Sequence, residues 1–340
     1  MRIALVIVSK GYGGLERHLV DLANELAKTD EVRVFGDASF REKLHKSIQL
    51  VDIKAKTWRF NPLALWRLRQ NLRRFSPDVI HAQANKAAKM VGLCRITAPV
   101  MIATIHNLKQ DTRPFVPFDG VIAVSRDAQA RLHHARSIVI ENGIAPVQMR
   151  PEAQYAELKA AWCTPDEPLT LAVGRLVAAK GFDILLDAWR DLPGKLVIVG
   201  TGPDEAALKK QVARLGLQTR VVFTGFRADV PALMQAANLL VISSRREGFP
   251  YVLVEALHAG VPIIATEIPG AREFLPSEAV VPCTNTTALH LALKQALQQW
   301  QKLPQRYAPF CAHARHELTL AQMAAKTRAF YEQIFKQSTP

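Results

Sequence analysis

Cysteine is scarce in this 340-residue chain, and the four present (Cys94, Cys163, Cys283, Cys311) lie far apart with no CxxC spacing. That argues against a zinc site or a disulfide framework and fits a reducing cytoplasm. No run of eighteen apolar residues occurs, so nothing in the sequence predicts a membrane span. The short apolar start, Met1-Arg-Ile-Ala-Leu-Val-Ile-Val8, has one charge and runs straight into glycines, and it reads as a first strand rather than a signal peptide. Repeats, low-complexity tracts and heptad arrays are absent. So is the GxxxxGK[ST] spacing of a P-loop. Gly11-Tyr-Gly13-Gly14 is not GxGxxG, and Phe35-Gly36 stands where a nicotinamide enzyme needs an acidic residue, which disfavours that chemistry. No helix-turn-helix, RRM or aromatic-interleaved basic motif supports nucleic-acid binding.

Positive charge, by contrast, is plentiful: 44 Lys and Arg against 30 Asp and Glu. Residues 1–150 hold 24 of the former and 13 of the latter, the remainder 20 and 17. A basic first half points to an anionic partner, with surplus solvated charge as the plainer alternative.

Length favours two domains, and strand, turn and helix recur along both halves. Strands are expected at 3–8, 31–36, 48–53, 78–83, 100–106, 120–125 and 137–141, with helices between them. A linker is placed in the proline-containing stretch 146–168, after which Leu169-Thr-Leu-Ala-Val173 restarts the pattern. Further strands are expected near 195–200, 221–225, 239–243 and 262–266. The tail from about 286 reads as helical, its last segment (319–337) amphipathic. Such alternation specifies parallel sheets wrapped by helices. The domains expected are 1–145, 146–317 and a C-terminal helix at 318–340.

Chemistry concentrates in Glu247-Gly-Phe-Pro-Tyr-Val-Leu-Val-Glu255, which follows the apolar run Leu239–Ser244 and precedes Ala256-Leu-His-Ala-Gly260. The spacing predicts that Glu247 sits at a strand-to-helix turn, with Glu255 two turns further on, on nearly the same helix face. A helix start suits a phosphate, and carboxylates beside it would accept hydrogen bonds from hydroxyls. A diphosphate between two polyols is a nucleotide sugar. Gly174-Arg175 and Lys180-Gly181 add two cations able to converge on one anion, or simply a charged surface loop.

These motifs together resemble the retaining GT-B glycosyltransferases of family 4. The resemblance spans nearly the whole chain: the glycine loop with Glu16, Pro77-Asp-Val-Ile-His81, Thr104-Ile-His106, Ala123-Val-Ser125, Glu141-Asn-Gly143, Val173-Gly-Arg-Leu176, Lys180-Gly-Phe182 and Glu247…Glu255 with Gly260-Val-Pro262. It implies two Rossmann-like α/β domains facing a central cleft, with the C-terminal helix crossing back to the first. It also implies roles. Arg175 and Lys180 neutralise the donor diphosphate, assisted by the amides of Phe249, Tyr251 and Val252. Glu247 holds the transferred sugar, Glu255 the ribose, and Phe226 and Arg227 lie against the base. Gly13 and Gly14, with Glu16 beside them, let the first domain approach the phosphate. His106 holds a sugar hydroxyl or stabilises charge at the anomeric centre. His18 and His81 are ligand contacts or ordinary packing residues. Pro250 departs from the glycine usual in the family and removes one amide near the diphosphate.

The resemblance further implies a UDP-sugar donor, transfer with retained stereochemistry, no protein nucleophile, and no cofactor or metal, since no DxD-type acidic cluster is present. Residues 58–75 combine five arginines with two tryptophans, and apolar positions 65, 68, 72 and 75 recur at helical spacing. This reads as a basic helix on anionic lipid or as a sheet-packing helix with a solvated arginine face. An anionic glycan or lipid-linked acceptor at the cytoplasmic membrane surface, as in lipopolysaccharide core synthesis, is the expectation. The alternatives are a sugar-nucleotide epimerase of the same fold and a catalytically silent glycosyltransferase-like subunit.

Overall fold

Buried β-branched and leucine-rich runs separated by helical segments build two parallel sheets. The computed structural model describes residues 1–9, 11, 13–54, 61–96, 98–108, 111–149 and 151–338. The chain divides into two units, the first formed by 1–143 with 318–340 and the second by 144–317.

The first unit contains β1 Arg2–Ile7, β2 Glu31–Gly36, β3 Gln49–Asp52, β4 Val79–Gln83, β5 Val100–Ile105, β6 Gly120–Ala123 and β7 Ser137–Val139. They lie in the order β3-β2-β1-β4-β5-β6-β7, with every neighbouring pair parallel. Its helices are α1 Gly14–Leu26, α2 Pro62–Phe75, α3 Ala84–Cys94 and the single turn α4 Arg126–Gln129. One sheet face buries Ala4, Val6, Ile80, Ala82, Ala103 and Ile105 against α2 and α3. The other buries Ile3, Leu5, Ile7, Val100 and Ile102 against α1 and the final helix.

The second unit contains β8 Leu169–Val173, β9 Lys195–Val199, β10 Val221–Gly225, β11 Leu239–Ile242, β12 Ile263–Thr266 and β13 Val280–Val281, in the order β10-β9-β8-β11-β12-β13 and all parallel. Its helices are α5 Glu152–Ala160, α6 Phe182–Ala188, α7 Glu205–Arg214, α8 Val230–Ala236, α9 Tyr251–Ala259, α10 Ala271–Phe274, α11 Thr286–Gln298 and α12 Leu303–Glu317. The last helix, α13 Leu320–Ser338, returns to the first unit, where it packs on α1 and β5. There Phe330 fills the space a side chain at Gly120 would need: a Cβ would lie 2.7 Å from its ring.

The stretch 146–168 is not plain linker. It contains α5, which starts after Pro151 and packs on α8. Its apolar residues are spread around the helix, so the sequence gives no helical stripe to read. In α2, Leu68, Leu72 and Phe75 are buried and Leu65 partly so, while Leu63 and Trp66 are 63% and 59% exposed and Arg73 and Arg74 face solvent. Trp58, Arg59 and Phe60, which begin the basic stretch, lie outside the described residues. No helix among the described residues is long and apolar enough to cross a membrane.

Candidate functional site

In each sheet the strand order reverses once, between β1 and β4 and between β8 and β11. The loops leaving the carboxyl ends of such strands part to opposite sides and leave a crevice, the general binding place of open parallel sheets. The glycine loop leaves β1. Gly174-Arg175 leaves β8, and Ser243–Pro250 leaves β11.

At the second reversal, a 3-10 turn Ala178–Lys180 ends at Gly181, whose φ of +63° and close approach to the Ser243 carbonyl exclude a side chain: a Cβ would lie 2.1 Å from that oxygen. The Lys180 stem then runs beside Gly174. Lys180 Nζ donates to Glu247 Oε1 at 2.6 Å, and Ser244 Oγ donates to the same oxygen at 2.7 Å. Ser243 Oγ donates to the Lys180 carbonyl at 3.0 Å. Beside this knot Arg245 forms a two-bond pair with Asp183, at 2.7 and 2.6 Å, and also donates to the Ala178 carbonyl. The Arg245 guanidinium holds the Asp183 carboxyl below its usual range. The segments that follow two adjacent strands are thereby tied by five side-chain hydrogen bonds. Lys180 and Glu247, nominated for different jobs, are in contact, with the Glu247 side chain only 13% exposed. Arg175 is exposed and makes no side-chain hydrogen bond or ion pair among the described residues.

The predicted helix phase needs correction. Helix α9 begins at Tyr251, with Pro250 at its N-cap, so Glu247 lies four residues outside the helix and Glu255 little more than one turn inside it. Proline sets this start, because it disfavours helical geometry at the residue before it and carries no N–H. Val252 is buried, Tyr251 and Glu255 are half-buried, and the Phe249 ring is core, edge-on to Phe274 at 6.1 Å. Phe226, just past β10, is 80% exposed. Arg227 is already committed, making two bonds to Asp229 at 2.8 and 2.6 Å.

In the first unit, Gly13 and Gly14 are exposed at the start of α1, and Glu16 is spent locally: its Oε2 accepts from the Gly13 amide at 2.8 Å as a helix cap. His106 follows β5, half-buried. Its Nε2 lies 2.7 Å from Gln83 Oε1, and its ring stands edge-on to His18 at 4.6 Å. His18 Nδ1 meets Asn142 Oδ1 at 2.9 Å. Fully buried His81 meets Tyr331 and Thr104, both at 2.6 Å. Burial pushes His18 down to about 4 and His81 to about 3, and it holds His106 well below the ordinary value, so all three are neutral near pH 7. His18 and His81 are thus held by protein partners, the packing alternative. The sequence reading missed Ser244, Asp183, Arg245, Gln83 and Tyr331. Gln83 had a signal, its position two residues from His81 on the same strand face. Tyr331, on a distant helix, had none.

Set against known proteins, residues 12–148 match the model described as Glycosyltransferase Family 4, and residues 157–310 the one described as Glycosyl transferases group 1. The chain belongs to the GT-B glycosyltransferases. This glycosyltransferase is 25% identical to the lipopolysaccharide core biosynthesis glycosyltransferase LpsD of Rhizobium meliloti, over 83% of its own length and 84% of the relative. It is 23% identical to the O-antigen biosynthesis glycosyltransferase WclY of Escherichia coli over 99% of both chains. Anabaena HepE, solved in complex with UDP and glucose, has the same fold, with a TM-score of 0.84 at 22% identity over 98% of this chain and all of HepE. Among the described residues of the glycosyltransferase, no group of three or more His, Cys, Asp or Glu side chains is placed to hold a metal ion.

Proposed function

We propose that this glycosyltransferase moves a sugar, with retention of stereochemistry, from a UDP-sugar to an anionic glycan or lipid-linked acceptor in lipopolysaccharide core or related cell-surface polysaccharide synthesis. The observation that carries the donor reading is the knot at the β8/β11 reversal. A lysine, a carboxylate and a serine are fixed by mutual hydrogen bonds, with an uncommitted arginine on the lysine's own loop. Arg175 and Lys180 neutralise the diphosphate as the sugar–phosphate bond breaks, with the Phe249, Tyr251 and Val252 amides beside them. Glu247 accepts from hydroxyls of the transferred sugar, Glu255 from the ribose, and exposed Phe226 offers the base a face to stack on. Arg227, held by Asp229, shapes the same loop. The acceptor oxygen attacks C1 on the face the phosphate leaves. The C1–phosphate bond breaks, the C1–acceptor bond forms, and the acceptor proton passes to the departing phosphate oxygen. No protein nucleophile and no metal is required in this scheme, because cationic side chains take the electrostatic role. Gly13 and Gly14 leave the first amides of α1 open to an anion, and neutral His106 serves the reacting sugar.

The acceptor reading rests on the relatives' names and on α2, which presents Leu63, Trp66, Arg73 and Arg74 to solvent. Apolar tips among arginines suit the cytoplasmic face of an anionic bilayer, where each basic side chain contributes about 1 kcal/mol. The deciding experiment is thermal unfolding with UDP, GDP, ADP, NAD and their sugar conjugates, for wild type and Arg175→Ala. Ligand at a hundred times its dissociation constant should add about 2.7 kcal/mol. A shift with UDP alone, lost in the variant, supports the donor assignment. No shift with any nucleotide would overturn it and favour a silent subunit.

A further inference from the structure

His106 ends a chain of buried polar side chains that the transfer scheme leaves unused. Its Nε2 is 2.7 Å from Gln83 Oε1, the Gln83 amide nitrogen is 3.2 Å from His81 Nε2, and His81 Nδ1 is 2.6 Å from the Tyr331 hydroxyl. Thr104 Oγ1 closes on His81 Nε2, the nitrogen facing Gln83, at 2.6 Å. The register explains the assembly. Gln83 pairs with Thr104 across β4 and β5, so residues 81, 83, 104 and 106 share the face that α13 covers. His81, Gln83, Thr104 and Tyr331 are at most 1% exposed. Groups so buried are held in place by pairing with one another.

We infer that Gln83, His81 and Tyr331 are positioning residues that hold His106 in one tautomer, protonated on Nε2 and bare on Nδ1, so that it meets its substrate as a hydrogen-bond acceptor. The directions follow from what each group can do. The Gln83 carbonyl only accepts, so the His106 proton sits on Nε2. The Gln83 amide nitrogen only donates, so His81 Nε2 is bare and its proton is on Nδ1, donated to the Tyr331 oxygen. The Thr104 hydroxyl donates to the same bare nitrogen. His106 Nδ1, which makes no hydrogen bond among the described residues, is left as a lone pair. A bare nitrogen accepts from a hydroxyl and turns away a group that can only accept, which selects a sugar hydroxyl over a carboxylate or phosphate oxygen. The titratable groups facing His106 are His18 from α1 and, through Gln83, His81 from β4, with Tyr331 of α13 behind. The consequence for substrate rests on the proposed role of His106 in transfer; the tautomer does not.

The test is a long-range proton–nitrogen correlation spectrum of the ligand-free full chain, labelled with ¹⁵N-histidine, between pH 5 and 8. His106 should stay neutral with Nε2 protonated. A spectrum with Nδ1 protonated would mean that the Gln83 amide is turned the other way and would overturn the inference. Gln83→Glu, which faces His106 and His81 with a carboxylate, should bring His106 titration into the pH 6 to 8 window. Gln83→Met should let both tautomers populate. UDP release is then followed from UDP-glucose, UDP-galactose and UDP-N-acetylglucosamine. Gln83→Met should lose about tenfold in kcat at unchanged donor KM, the equivalent of one hydrogen bond. An unchanged kcat alongside mixed tautomers would overturn the positioning role. Full transfer by His106→Ala would sink the reading of His106 itself, whatever the spectrum shows.

Discussion

Lys180 and Glu247 neutralise each other before any ligand arrives, and that sets what each can do. The pair aims a partly buried carboxylate while leaving Lys180 two further donors for an incoming anion. Lys180→Met strands the carboxylate, so it should cost about 1–3 kcal/mol of stability as well as donor affinity. Thermal unfolding and calorimetric titration with UDP would separate the two losses, and a variant with unchanged stability would mean that the pair is idle. Glu255 is a different case, since its proposed job is to read ribose. Wild type should bind UDP roughly tenfold more tightly than 2′,3′-dideoxy-UDP, and Glu255→Ala should erase that gap. A gap that survives the substitution moves the ribose contact elsewhere. Both carboxylates stand out in the sequence by spacing alone. Their phase relative to the helix does not, because it depends on one proline, Pro250, whose effect on the helix start outweighs the glycine at 248.

At the scale of elements, the site is two loops held to adjacent parallel strands, and at Gly181 they come close enough to exclude a side chain. Its positive φ and the Ser243 carbonyl, 2.1 Å from where a Cβ would sit, leave no room. Gly181→Ala should therefore lower stability by more than about 1 kcal/mol and weaken nucleotide binding by shifting Lys180 away from Glu247. Arg245→Ala removes a pair that is about a third to half exposed, so its effect on stability should stay within about 1 kcal/mol. If loop position matters for the donor, it will raise KM more than it lowers the melting temperature. The strands were legible because parallel strands buried on both faces read as apolar runs. Helix α5 was not, since its apolar residues mark no single face and prolines flank it. The ties between loops were illegible for another reason: Arg245 and Asp183 are 62 positions apart and look like ordinary surface charge.

Across the whole molecule, the first unit carries two unusual dependences: on pH and on the end of the chain. Buried His18 and His81 and half-buried His106 are all neutral, with folded values depressed below the ordinary 6.5. The unfolded chain therefore binds more protons as pH falls. Stability is full above about pH 6.5 and declines toward pH 4, with a slope of up to about 1.4 kcal/mol per pH unit for each histidine. Melting curves from pH 7.5 to 5 should show that decline, and His18→Asn should flatten it. Dependence on the chain end follows from α13, which supplies Met323, Phe330, Tyr331 and Ile334 to the sheet face shared with α1. Deleting 318–340 would expose these partners' apolar surface, strip His81 of the Tyr331 hydroxyl and leave an empty space beside Gly120. Loss of four large buried side chains, at about 2–5 kcal/mol each, exceeds the stability of an ordinary domain. The second unit loses none of its own residues, because 144–317 is contiguous. The truncated chain should therefore show rapid amide exchange and proteolysis throughout 1–143 while 144–317 stays protected and still responds to UDP. Protection of both units would mean that α13 is dispensable padding, and the His81–Tyr331 bond would lose its claim to hold the histidine chain in place.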